Sequence, residues 1–221
     1  MFEVMCFGDS NTWGYDPAAG ERYPREVRWT GVLQAALGQG CRVIEEGLNG
    51  RTTVWEDPVE GDRMGRRHLV PCLESQAPLD LVVLMLGTND LKKRYSAPAD
   101  DIAAGVGVLL DIIGKSAAGR AGKAPPVILL APPPLAKLSA WAGMLEGGGE
   151  KSLQLGRLYA ELAHARGCAF LDTGTIIRSS DLDGVHFERA GHRTLGEAVA
   201  REVTRILAGG KGGTPWPPGT T

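Results

Sequence analysis

The sequence predicts an α/β fold, a three-layer sandwich of about five parallel strands between helices. Three observations carry this expectation. Short apolar runs occur at residues 4–7, 79–86 and 126–131, without the polar alternation of a strand that faces water on one side. Stretches with helical spacing of apolar residues separate these runs, so strand and helix alternate along the chain. No internal repeat and no break in composition marks a second domain. Residues 1–207 therefore read as one domain, and residues 208–221 as a Gly/Pro-rich C-terminal tail.

Taken in order, residues 4–7 form the first strand and end at Gly8. Residues 16–26, rich in Pro, Gly and charge, form a loop. From residue 28 to 37, Trp29, Val32, Leu33, Ala36 and Leu37 recur at helical spacing until Gly38 and Gly40 stop the helix. A second strand spans 42–46. Residues 56–67 are polar and read as loop, with Arg63, Arg66, Arg67 and His68 as a solvated basic face. A short helix follows at 68–76, and the most apolar run, 79–86, is the third strand.

A helix over 98–113 opens with Pro98, and Asp100 and Asp101 lie near its positive end. The fourth strand, 126–131, is closed by Pro132-Pro133-Pro134, which offer no N–H to continue a ladder. Residues 135–149 form a long loop with a helical turn around 141–145, of the kind that often walls a binding site. Helix 151–166, strand 168–171 and helix 188–207 complete the domain.

Composition narrows the functional classes. With 43% hydrophobic and 23% charged residues the chain falls among soluble globular proteins. A net charge of -2 gives no electrostatic reason to expect nucleic acid or an anionic membrane as partner. Met1 leads directly into a strand-like run, so no signal peptide is expected. No apolar run approaches the length of a membrane span. The expected location is the cytoplasm. Cys6, Cys41, Cys72 and Cys168 are widely spaced without a CxxC pair and read as reduced thiols. There is no P-loop, no GxGxxG after a strand, no GxSxG elbow and no metal-ligand spacing. The expectation is chemistry without cofactor or metal.

Three strands end in polar signatures: Ser10 after the first, Gly50 after the second and Asn89 after the third. A parallel sheet brings such ends to one edge, where ligands bind. A serine hydroxyl there can attack a carbonyl if a base takes its proton. The developing oxyanion needs aimed donors, which the N–H groups of Ser10 and Gly50 and the Asn89 amide can supply. Each residue alone also fits an ordinary turn or cap.

Among the histidines, His68 follows the arginine cluster, His164 lies mid-helix and His192 falls inside the last helix. His186 instead stands in a loop just before that helix. The spacing Asp183-Gly184-Val185-His186 lets the carboxylate fold back onto Nδ1, fixing the tautomer that leaves Nε2 for the serine. Asp181 is the competing carboxylate, at a longer spacing.

These residues resemble the SGNH hydrolases, or GDSL-type esterases, named for four blocks. Here the blocks read Gly8-Asp9-Ser10-Asn11, Gly47-Leu48-Asn49-Gly50, Gly87-Thr88-Asn89-Asp90 and Asp183-Gly184-Val185-His186. Asn11 stands where the motif name has Leu. Further segments, Thr12-Trp13-Gly14, Val27-Arg28-Trp29-Thr30-Gly31 and Pro132-Pro133-Pro134-Leu135, resemble the arylesterase and acyltransferase branch. The resemblance implies a flavodoxin-like fold and a serine esterase acting on small aryl or short-chain esters. Ser10 would be nucleophile, His186 base and Asp183 its orienter. It also implies pocket walls at Asn11, Trp13, Lys92 and Val185 with the loop around Trp141, and a homo-oligomer. Some branch members pass acyl groups to alcohols or peroxide. Rival readings are core packing for Trp13 and an exposed helix-start lysine for Lys92. For the whole chain they are carbohydrate deacetylation and a non-catalytic binding module. Trp13, the segment 135–145 and Trp216-Pro217-Pro218 are the expected subunit contacts.

Overall fold

A computed structural model describes residues 1–209. The tail from residue 210 onward, with Trp216-Pro217-Pro218, lies outside the described residues. The elements run β1 (Phe2–Gly8), α1 (Ser10–Trp13), α2 (Trp29–Leu37), β2 (Cys41–Gly47), α3 (Gly65–Ser75), β3 (Leu81–Met85), α4 (Ala99–Lys115), β4 (Val127–Ala131), α5 (Gly148–Arg166), β5 (Ala169–Asp172) and α6 (Arg189–Ala208).

The strands form one parallel sheet in the order β2-β1-β3-β4-β5. Successive side chains of a strand point to opposite faces, and the buried residues sort accordingly. Met5, Phe7, Val82, Leu84 and Leu129 join a core with α3, α4 and α5. Val4, Cys6, Leu81, Val83, Met85 and Leu130 join a second core with α2 and α6. Both faces of the central strands are covered, which explains their unbroken apolar runs. The chain reverses direction of winding between β1 and β3, the switch point where such sheets open a crevice.

Three features differ from the sequence expectation by more than a residue or two at an element's end. The helix expected at 68–76 begins at Gly65. The carbonyls of Thr52 and Thr53 accept the N–H groups of Gly65 and Arg66 at 3.0 and 2.9 Å, so a neighbouring segment satisfies donors that a helix start otherwise leaves open. The last long helix before β5 begins at Gly148 rather than 151, after a turn in which Leu145 N donates to Trp141 O at 3.0 Å. Finally, Ser10–Trp13 is a single helical turn, not only a bend. Asp9 caps it, its carboxylate accepting from Asn11 N at 2.9 Å.

The four cysteines are free thiols, Cys6 and Cys41 buried and Cys72 and Cys168 half-buried. Of the basic cluster, Arg66 and Arg67 are exposed as expected. Arg63 is not: its side chain is only 28% exposed and lies beside Glu60.

Candidate active site

Strand register brings the site together. Gly8 pairs with Gly47 of β2 and with Met85 of β3, so the three strands end level. The chain then delivers Ser10, Gly50 and Asn89 to one cavity of about 180 Å³. His186, Val185, Tyr15, Asn49, Glu60, Thr88, Lys92, Trp141, Met144 and Leu145 complete its lining.

The loop before α6 folds Asp183 against His186. Gly184 makes the turn in the left-handed region, φ 82°, where a Cβ would strike the backbone of Lys137 and Leu138. Asp183 Oδ1 accepts the backbone N–H groups of Val185 and His186 at 2.8 and 2.9 Å. Its Oδ2 lies 2.6 Å from His186 Nδ1. Burial raises the Asp183 carboxyl. The hydrogen bonds from the His186 ring and from these two N–H groups outweigh it and hold the group below the usual carboxylate range. His186 Nε2 stands 2.9 Å from Ser10 Oγ. The competing Asp181 is exposed, with no bond to the imidazole.

Tyr15 packs tilted against the His186 ring: its ring centroid is 4.2 Å from that of His186, at an interplanar angle of 34°. Its backbone N donates to Ser10 O at 3.0 Å. A short stretch after β1 thus supplies both the hydroxyl and an aromatic face for the imidazole. Nothing in the sequence pattern singled out Tyr15, because its partner is 171 positions away in a different loop.

Gly50 adopts φ 77°, and a Cβ there would collide with Glu60 Oε2. Asn89 donates one amide hydrogen to Arg51 O at 3.1 Å, which leaves its second amide hydrogen free. Ser10 is the first residue of α1, so its N–H has no intrahelical acceptor. Beneath these groups, Asp90 accepts from Thr53 N at 3.0 Å and from its hydroxyl at 2.5 Å. Burial pushes the Asp90 carboxyl up to about 6 despite these bonds. Arg51 lies under the Phe7 ring, 4.1 Å from its centroid, and donates to Gly8 O at 2.8 Å and to Glu46 O.

The expected pocket walls divide. Val185 and Trp141 line the cavity. Asn11 and Trp13 do not. Asn11 is buried and donates to Val185 O at 3.3 Å, tying the Ser10 segment to the His186 segment. Trp13 is half-buried under the Arg22 guanidinium, 5.0 Å from its ring centroid. Lys92 lines the cavity but is not the exposed lysine of the rival reading, being 2% exposed. Its Nζ donates to Asp57 at 3.0 Å and to Glu60 at 2.6 Å. Asp57 also accepts from Arg94 at 2.8 Å. Burial raises its carboxyl, but hydrogen bonds from the loop N–H groups of Val59 and Glu60 and from Lys92 hold it well below the usual range.

His68 and His164 lie away from the site, as expected. His192 is fully buried and its Nδ1 accepts from Trp29 N at 3.2 Å, pinning α2 to α6. Among the described residues, no group of three or more His, Cys, Asp or Glu side chains is arranged to hold a metal ion. No helix among them is long and apolar enough to cross a membrane.

The arrangement is a hydroxyl hydrogen-bonded to an imidazole, the imidazole to a carboxylate, and N–H donors beside the hydroxyl, which is the equipment for acyl transfer. Comparison with known proteins agrees with it. The model of the GDSL-like Lipase/Acylhydrolase family matches residues 6–194. No match was found among curated protein sequences. A carbohydrate acetylesterase from Sinorhizobium meliloti, Est24, superposes with a TM-score of 0.90 at 41% identity, covering 93% of this chain and 100% of that one. An aryl esterase of M. smegmatis superposes with a TM-score of 0.90 at 42% identity, covering 94% and 100%. A lipolytic G-D-S-L family member from Veillonella parvula shares the fold at 16% identity, with a TM-score of 0.68. The chain belongs to the GDSL-like lipase/acylhydrolase family and is a carboxylic ester hydrolase.

Proposed function

We propose that the chain hydrolyses small esters through an acyl-enzyme on Ser10. The observation that carries this reading is the pair of contacts at His186, 2.9 Å to Ser10 Oγ and 2.6 Å to Asp183 Oδ2. Ser10 Oγ bonds to the acyl carbon as its proton passes to His186 Nε2. Asp183 holds the ring and balances the imidazolium. The oxyanion rests on the N–H groups of Ser10 and Gly50 and on the free amide hydrogen of Asn89. Collapse breaks the bond to the alcohol oxygen, which leaves with the proton from His186. Water then repeats the steps and restores the Ser10 hydroxyl. An alcohol in place of water gives acyl transfer by the same route.

The cavity supports a small substrate. About 180 Å³ is below the ~300–1,000 Å³ of a drug-sized site, which suits short acyl groups. Carbohydrate deacetylation is a second reading, favoured by the polar lining residues Asn49, Glu60, Thr88 and Lys92. Assembly as a homo-oligomer belongs to the same proposal and is read by light scattering.

The test is covalent trapping. A fluorophosphonate probe is expected to add its phosphonyl group to Ser10, identified by peptide mass spectrometry. Labelling elsewhere, or equal labelling of Ser10→Ala, rejects the assignment.

A further inference from the structure

Two charged side chains in the cavity, Glu60 and Lys92, take no part in the steps above. Glu60, between Asp57 and α3, lines the cavity with Asn49, Gly50 and Asn89. Its Oε1 accepts from Lys92 Nζ at 2.6 Å. Its Oε2 accepts no hydrogen bond from the described residues. The Arg63 Nε beside it is 3.7 Å away, beyond hydrogen-bonding reach. That oxygen sits beside Gly50, where a Cβ would meet it.

Neutralising Lys92 does not explain Glu60. Asp57 already holds the same ammonium at 3.0 Å from a fully buried position, whereas the Glu60 side chain is 34% exposed. A half-exposed carboxylate oxygen is solvated by water in the open site. An ester that enters must replace that water. An alkyl group strips the oxygen and leaves it unpaired, whereas a hydroxyl restores the bond.

We propose that Glu60 is a specificity-determining residue that accepts a hydrogen bond from a hydroxyl on the bound ester. The enzyme therefore selects hydroxylated esters over their alkyl isosteres. This rests on the Ser10 chemistry proposed above. Lys92 is then a positioning residue, holding the carboxylate with one oxygen turned to Gly50.

The experiment compares two isosteric pairs on the full chain, each kcat/KM divided by the ester's alkaline hydrolysis rate. Ethylene glycol monoacetate against propyl acetate places the hydroxyl on the alcohol. Methyl glycolate against methyl propionate places the hydroxyl on the acyl group. At least one pair is expected to favour the hydroxylated ester about tenfold or more, and which pair does so tells which part of the ester faces Glu60. In Glu60→Leu that ratio is expected to collapse toward one, with Glu60→Gln between. The ratio cancels any shared loss of catalytic power. A wild-type ratio within about twofold of one for both pairs overturns the proposal, whether or not the variants fold, as does an unchanged ratio in Glu60→Leu. Hydrolysis of none of the four esters removes the Ser10 chemistry as well; equal hydrolysis of all four removes the Glu60 inference alone.

Discussion

Asn89 Nδ2 donates to the carbonyl oxygen of Arg51 at 3.1 Å, joining the loop after β3 to the loop after β2. One residue beyond Asn89 and two beyond Arg51, Asp90 grips the backbone and hydroxyl of Thr53. The donors proposed for the oxyanion are therefore aimed before any ester arrives. Preorganisation of this kind avoids reorientation during reaction.

Asn89→Ala removes one donor and leaves Arg51 O without its partner. The expected effect is a loss of about 10²–10³ in kcat on p-nitrophenyl acetate, with a smaller change in KM. A kcat within about threefold of wild type would take the Asn89 amide out of the reaction.

Ser10→Ala and Asp183→Asn act on one unit, so their effects do not add. Each is expected to lower kcat by about 10³ or more, and the double variant to be no slower than Ser10→Ala. Steady-state kinetics on the three proteins decide this. Multiplicative losses would mean that Asp183 acts independently of Ser10.

Lys92→Met leaves the buried Asp57 with one cation fewer and strands Glu60. Removing one partner of a buried ion pair costs about 3–5 kcal/mol, and urea unfolding is expected to show a loss of that size. A loss below about 1 kcal/mol, the level of a surface pair, would mean that Arg94 alone neutralises Asp57.

His192 links stability to acid. Burial, reinforced by the nearby His186 and Arg28 charges and opposed by Asp16, pushes its pKa down to about 4 from the ordinary 6.5. A base with a lowered folded pKa contributes stability that is fully present above about 6.5. That stability is lost as pH falls toward 4, because only the unfolded chain binds the proton readily. Asp9 and Asp90, both raised to about 6, have the opposite sign: their contribution is present near pH 4 and lost as pH rises through 6. The measurement is therefore a difference. The stability of wild type minus that of His192→Gln, from urea unfolding, is expected to fall by about 3 kcal/mol between pH 7 and pH 4. A difference independent of pH would show that His192 ionises normally in the fold, and one that rises toward pH 4 that it is protonated there.

The sheet and the folding of Asp183 onto His186 were legible because their causes are local. Continuous apolar runs ending in glycine mark strands covered on both faces, and Asp-x-x-His is a turn that closes on itself. What stayed hidden depends on residues distant in sequence. Lys92 looks like a surface lysine until Asp57 and Glu60, 35 and 32 positions earlier, are folded over it. Glu60 and Arg63 sit in a stretch that reads as polar loop, and no pattern tells which polar side chain turns inward. Asn11 and Trp13 adjoin Ser10 in sequence, but a helical turn rotates successive side chains by about 100°, so proximity along the chain did not place them in the cavity. The start of α3 was invisible for the same reason: its first acceptors belong to Thr52 and Thr53.

The Asp183 carboxylate binds the backbone of Val185 and His186 with one oxygen and the imidazole with the other. Carboxylate and ring are thus registered to each other inside a four-residue cassette. Changes in the other loops that wall the cavity can therefore alter substrate choice without disturbing the pairing of carboxylate and ring; what those loops must preserve is the 2.9 Å delivery of Nε2 to the Ser10 hydroxyl.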